Sequence, residues 1–193
     1  MNLSRVIVLL LILLIGVGYV SWHVWQLLPM TATGKWVVTG ALLLCLVCFF
    51  TNFIFGLDDK PMSVAVALYE LGNSSLFIGF YLLLFFLVLD LGRLFHLVPR
   101  SFLYNSWIGT VSVIVIMTGL FVYGYFNYLH KERVPMVLNS DKPFHQPHRL
   151  VMMSDLHLGY HNRADEFRKW VDMINEEKPE VILIAGDIID RSI

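Results

Sequence analysis

R-L-V-M-M-S-D-L-H-L-G (149–159) and V-I-L-I-A-G-D-I-I-D (181–190) are two short apolar runs, each ending in side chains that bind metal ions. Runs of this length, rich in Val, Ile, Leu and Met, read as buried strands. Between them, residues 163–178 show helix spacing. Phe167, Trp170, Val171 and Ile174 fall at i, i+3, i+4 and i+7, with Arg168, Lys169, Asp172, Asn175 and Glu176 on the other face. Asn162 is placed to cap this helix, with Asp165 three residues on, and Pro179 stops it. Strand, helix and strand at this spacing make a βαβ crossover, so the strands are expected to be parallel. Their C-terminal ends then share one edge of the sheet, the edge at which open α/β sheets bind ligands.

Asp155 and His157 leave the first strand at that edge, and Asp187 leaves the second. Carboxylates with an imidazole suit Mn²⁺, Fe or Zn²⁺ better than Ca²⁺ or Mg²⁺, which prefer oxygen alone. Gly159 and Gly186 allow a sharp turn or a close backbone approach. A single Asp or His at a strand end more often forms a turn than holds a metal. The joint pattern, two motifs on two strand ends joined by a helix, is what carries the metal-site reading.

S-D-L-H-L-G (154–159) followed by G-D-I-I-D (186–190) resembles the first two motifs of the calcineurin-like metallophosphoesterases. The resemblance covers about the last 45 residues. It implies that Asp155 and His157 are ligands of a first metal and that Asp187 bridges two. Asp190 matches a position that is not usually a direct ligand, and a supporting role in the turn is expected for it. The family fold implied is α/β. The implied activity is hydrolysis of phosphomonoester or phosphodiester bonds by a metal-activated hydroxide, with two divalent ions (Mn, Fe or Zn). The family's later motifs, G-N-H-[DE], a lone His and G-H-x-H, have no counterpart in residues 1–193. No catalytic proton-donor His is therefore assigned. Residues 149–193 read as the N-terminal part of a domain that is incomplete here, and these 193 residues alone are expected to be inactive. Tyr160, His161 and Arg163 follow the first motif and could face a substrate phosphate, but a solvated loop is the preferred reading.

Upstream the composition changes. The 193 residues are 57% hydrophobic and 15% charged, against about a quarter charged in soluble proteins. Residues 1–130 carry five Lys/Arg and four Asp/Glu, whereas residues 131–193 carry nine and eleven. A helical membrane domain (1–130), a linker (131–148) and a soluble segment (149–193) are expected. Four spans are placed at 6–28, 36–55, 66–90 and 106–128, each long enough for about 30 Å of hydrocarbon. A signal peptide is the rival reading of the first, but Thr31-Ala32-Thr33 makes a poor cleavage site. Residues 91–105 mix Arg93, His96 and Arg100 with apolar residues and fit an interfacial segment. Glu70 is read as interfacial. Cys45 and Cys48 stand alone in an apolar run and read as small packing residues. His145 and His148 fall in the linker, where a metal role is not favoured.

Four spans put both ends on one side of the membrane. Five basic residues (Arg5, Lys60, Lys131, Arg133, Lys142) against three (Lys35, Arg93, Arg100) favour a cytoplasmic catalytic segment. The expected partners are the lipid bilayer, as a multi-pass integral protein (inner or plasma membrane in a bacterium), and a phosphate ester, with lipid-linked substrates suggested by the anchor. The net charge of −1 gives no nucleic-acid signal. An alternative reading makes the helical part, about two-thirds of the chain, a non-catalytic scaffold or transport component with a vestigial tail.

Overall fold

The computed structural model describes residues 3–139, 141, 142 and 146–189. Five helices come first: α1 (Leu3–Leu27), α2 (Ala32–Phe55), α3 (Met62–Leu94), the single turn α4 (Arg100–Leu103) and α5 (Trp107–Leu129). They are followed by β1 (Leu150–Ser154), α6 (Ala164–Glu176) and β2 (Val181–Ala185). The chain divides into two compact units. One holds Met1–Gly56 and Leu71–Lys131; the other holds Leu57–Glu70 and Glu132–Ile193.

The first unit is held by apolar packing and a few polar contacts. Its core is Val20, Leu27, Phe86 and Val113. The Thr31 hydroxyl caps α2 by accepting from the Gly34 N–H, and Ser106 caps α5 by accepting from Gly109. Gly72 lets α3 lie close to α2, since an added Cβ would stand 2.9 Å from the Phe49 Cα. Close approach through small residues is the usual way that helices pack in lipid. Nearby, the Ser75 hydroxyl donates to the Cys45 carbonyl, 3.0 Å away.

Among the described residues, three helices are long and apolar enough to cross a membrane: Ala32–Asn52 within α2, Met62–Leu94 and Trp107–Leu129. Sequence reading expects four. The difference lies in α1, whose described apolar stretch, Leu11–Leu27, is shorter than a full span. The whole of α1 is nevertheless one helix of 25 residues, and at 1.5 Å per residue its length matches a bilayer core.

A polar cluster joins α1 to α3. The Tyr19 hydroxyl donates to Asp90 Oδ2 at 2.7 Å, and His23 Nε2 lies 3.0 Å from the same oxygen. Arg93 Nη1 is 3.5 Å from Asp90 Oδ1. The His23 ring is buried and stacks on Phe86. Interhelical hydrogen bonds in membranes contribute about 0.6 kcal/mol on average and up to roughly 2. Asp90→Ala is therefore expected to destabilise the helical unit by about 1–2 kcal/mol, read as a lower midpoint of helix loss in detergent. An unchanged midpoint would show that the cluster does not hold α1 to α3.

Candidate metal centre

In the second unit, β1 and β2 pair in parallel, in register from Leu150 opposite Val181 to Ser154 opposite Ala185. The crossover is α6. Its apolar stripe is the expected one: Phe167, Trp170 and Val171 are part-buried and Ile174 is buried, while Arg168, Lys169, Asp172, Asn175 and Glu176 are exposed. Asp165 and Glu166 occupy its first turn, where the helix dipole favours negative charge. The expected cap is not formed. Arg163 is the N-cap residue and makes no side-chain cap bond. The Asn162 side chain turns back instead and donates to the Leu156 carbonyl at 2.9 Å. The Asn162 Nδ2 is thus engaged by a local turn carbonyl, and the side chain serves the turn.

The strands end together, but their pairing continues into the motifs. The Asp155 N–H donates to the Ala185 carbonyl (3.1 Å), His157 N–H to Asp187 (3.1 Å) and Leu158 N–H to Ile188 (2.9 Å). Leu158 also bridges to Ile189. The backbones of D-L-H-L and G-D-I-I are thus zipped side by side, which brings Asp155, His157 and Asp187 to one edge. Asp155 (φ 51°) and His157 (φ 45°) both adopt left-handed backbone conformations. Such conformations cost about 1–3 kcal/mol each away from glycine, and they cluster at functional sites. Gly186 (φ 83°) opposes Asp155. A Cβ at Gly186 would collide with the Asp155 carboxylate, standing 3.0 Å from its Cγ and closer still to Oδ1. The missing side chain is what lets the Asp155 carboxylate lie over Gly186 at the second strand end.

The donor set of two carboxylates and one imidazole suits a divalent transition metal, and all three residues are solvent-exposed at the shared edge. Among the described residues, no three or more His, Cys, Asp or Glu side chains close into one ligand group. The fit therefore rests on donor type and backbone placement. Asp190 lies outside the described residues, as does His145.

Around this edge, three readings of the sequence meet the structure differently. Tyr160, read as part of a solvated loop, is buried at 7% exposure, because its ring packs on Leu57 and Ala65. His161 is exposed, with Nδ1 2.7 Å from Glu70 Oε1. Arg163 is exposed at the start of α6. Sequence reasoning missed the involvement of residues 57–70, because nothing in their local pattern marks a partner about a hundred positions away.

The segment before β1 is tied to the crossover by ion pairs. Arg133 meets both Glu176 and Glu177, and the pairing with Glu176 first, then Glu177, raises its already high pKa. His148 Nδ1 lies 2.6 Å from Glu180 Oε2, and this contact holds the Glu180 carboxyl below the usual carboxylate range.

β2 is open to solvent along most of its length. Val181, Ile182, Leu183 and Ile184 are each nearly half exposed. Side chains alternate across a strand, so both faces of the sheet present apolar surface. That is the pattern of a parallel strand covered on both sides.

Comparison with known proteins bears on this segment directly. The sequence model of the calcineurin-like phosphoesterase family matches residues 148–193. A Danio rerio protein named "Transmembrane protein with metallophosphoesterase domain" is 28% identical over 172 residues, 82% of this chain and 38% of that protein. The Bacillus subtilis (strain 168) protein named "Uncharacterized metallophosphoesterase YkuE" is 33% identical over 74 residues, 36% of this chain and 26% of that protein. The chain thus spans well under half the length of these curated relatives. No solved structure matches it. The long apolar helices and the transmembrane relative mark a membrane protein. Within it, residues 148–193 match the family model of the calcineurin-like phosphoesterases.

Proposed function

We propose that the full-length protein is a membrane-anchored, divalent-metal-dependent phosphoesterase. One observation carries this reading: the zipped backbones of residues 155–158 and 185–188, which bring two carboxylates and an imidazole to one sheet edge. Asp155 and His157 would hold one metal, and Asp187 would be shared between two. A bound divalent ion supplies Lewis-acid polarisation of a phosphoryl oxygen and lowers the pKa of water. The chain's own part is to fix the ligand backbones rigidly, through left-handed residues and the shared ladder, and to leave the edge open to solvent. Asp190 is assigned a supporting role in the turn. The substrate class is a phosphomonoester or phosphodiester, and the anchor favours one attached to lipid. Cytoplasmic placement is part of the proposal. It rests on the basic-residue bias and on counting Leu3–Leu27 as a fourth crossing.

The test is hydrolysis of a chromogenic phosphodiester by the full-length protein in detergent. Activity should vanish with a chelator and return with Mn²⁺. Metal-independent turnover would overturn the reading. Residues 1–193 assayed as they stand are expected to give little or no turnover. They offer three candidate ligands and a two-stranded sheet with apolar surface on both faces. Robust Mn²⁺-stimulated hydrolysis by residues 1–193 would show that three ligands suffice.

A further inference from the structure

Tyr160 is a large side chain in the loop that follows the first motif, and it is buried. It packs against residues from the turn after α2 and from the start of α3. Leu57 is 4% exposed, Ala65 is 1% exposed, and Val66, Leu68 and Tyr69 pack around them. The Tyr69 and Tyr160 ring centroids are 5.4 Å apart. The Tyr160 hydroxyl donates to Asp58 Oδ1 at 3.2 Å, and the next residue, His161, reaches Glu70. Residues 57–70 thus grip the loop by a buried ring and by polar contacts on either side of it.

The gripped loop is not independent of the candidate ligands. The Gly159 N–H donates to the Asn162 carbonyl, and the Asn162 side chain donates to the Leu156 carbonyl. Leu158 bridges to both Asn162 and Ile189. Residues 156–162 are therefore one closed turn, with His157 inside it and Asp155 at its entrance. Only two residues of this cross-linked backbone, Leu158 and Gly159, separate Tyr160 from His157, so a displacement at Tyr160 would reach His157. A left-handed residue such as His157 keeps its conformation only where its surroundings over-determine it, and the Tyr160 anchor is part of those surroundings.

We infer that the Leu57–Glu70 segment, the turn after α2 together with the first turns of α3, positions the first ligand pair of the proposed metal centre, with Tyr160 as the plug and Asp58 and Ala65 as its socket. Tyr160, Asp58 and Ala65 are positioning residues: they act on a metal through Asp155 and His157 and do not touch it. The connection between two membrane helices is then a working part of the phosphoesterase site. This inference rests on the phosphoesterase reading for its consequence, but the docking itself can be measured separately.

The experiment uses the full-length protein and the variants Tyr160→Ala, Tyr160→Phe and Ala65→Trp, with two readouts. The first is backbone hydrogen exchange of residues 156–162 compared with that of β1 and β2. The second is the Mn²⁺ concentration giving half-maximal phosphodiester hydrolysis, measured beside the rate at saturating Mn²⁺. Loss of a group that orients a ligand typically costs about 10–100-fold in metal affinity. Tyr160→Ala and Ala65→Trp should raise the half-maximal Mn²⁺ concentration by about tenfold or more, with most of the rate recovered at saturation. Exchange should quicken in residues 156–162 and not in the strands. Tyr160→Phe, which keeps the ring and removes the hydroxyl that bonds Asp58, should fall between wild type and Tyr160→Ala. Unchanged exchange and unchanged Mn²⁺ dependence would overturn the inference. So would exchange that quickens equally in strands and loop, since that is the signature of general unfolding. Absent turnover in the wild type would count against the phosphoesterase reading instead, leaving the exchange to decide the docking.

Discussion

Asp187→Ala in the full-length protein should abolish measurable phosphodiester hydrolysis. Removing a group that merely orients a ligand costs about 10–100-fold. If Asp187 has the proposed role of a carboxylate shared by two ions, its removal should exceed that range. Added Mn²⁺ should then not rescue the effect, because the proposed bridging donor would be gone. The main-chain contact at this position survives the substitution, since the Asp187 carbonyl and not its side chain accepts from the His157 N–H. Fold and chemistry are therefore separable here: Asp187→Ala should retain wild-type stability while losing turnover. Near-normal turnover would remove Asp187 from the site.

Gly186→Ala should be nearly as damaging by another route. Gly186 has φ 83°, a region that costs a residue with a Cβ about 1–2 kcal/mol. The added carbon would also overlap the Asp155 carboxylate and stand 3.3 Å from the Asp155 N. That nitrogen belongs to the ladder that zips the two motifs, so Asp155 and the second strand end must move apart. A misplacement of about 1 Å at a reacting centre can cost about 10²-fold in rate, and a loss of that order is expected. Gly119→Ala is the comparison, because a Cβ there meets nothing within 4 Å. It should leave turnover unchanged. Equal activity in Gly186→Ala and wild type would show that the Asp155 carboxylate does not need the space over Gly186.

The parts of this architecture that repeat along the chain were legible in the sequence. The Phe167, Trp170, Val171 and Ile174 stripe is a local periodicity, and it gave α6, the crossover and hence the parallel pairing of β1 with β2. Apolar length marked the long helices, although among the described residues three rather than four reach a full span. Polar choices made over short range were harder to read. Asn162 has the chemistry of a helix cap and of a turn bond, and the nearby Leu156 carbonyl decides between them. Pairings across long separations left no trace in any local pattern. Tyr19 and Asp90 are 71 residues apart, and Tyr160 and Asp58 are 102 apart. A tyrosine after a glycine reads as a loop residue until the surface that buries it is seen. The left-handed backbone at Asp155 and His157 was equally hidden, since neither residue type demands it.

The measurement closest to the central claim is the metal content of the purified full-length protein, by elemental analysis, in wild type and in Asp155→Ala. The account predicts Mn, Fe or Zn bound to the wild type after reconstitution and exhaustive dialysis, with a clear loss in Asp155→Ala at equal helix content. The same metal content in both proteins, or none in the wild type, would contradict it.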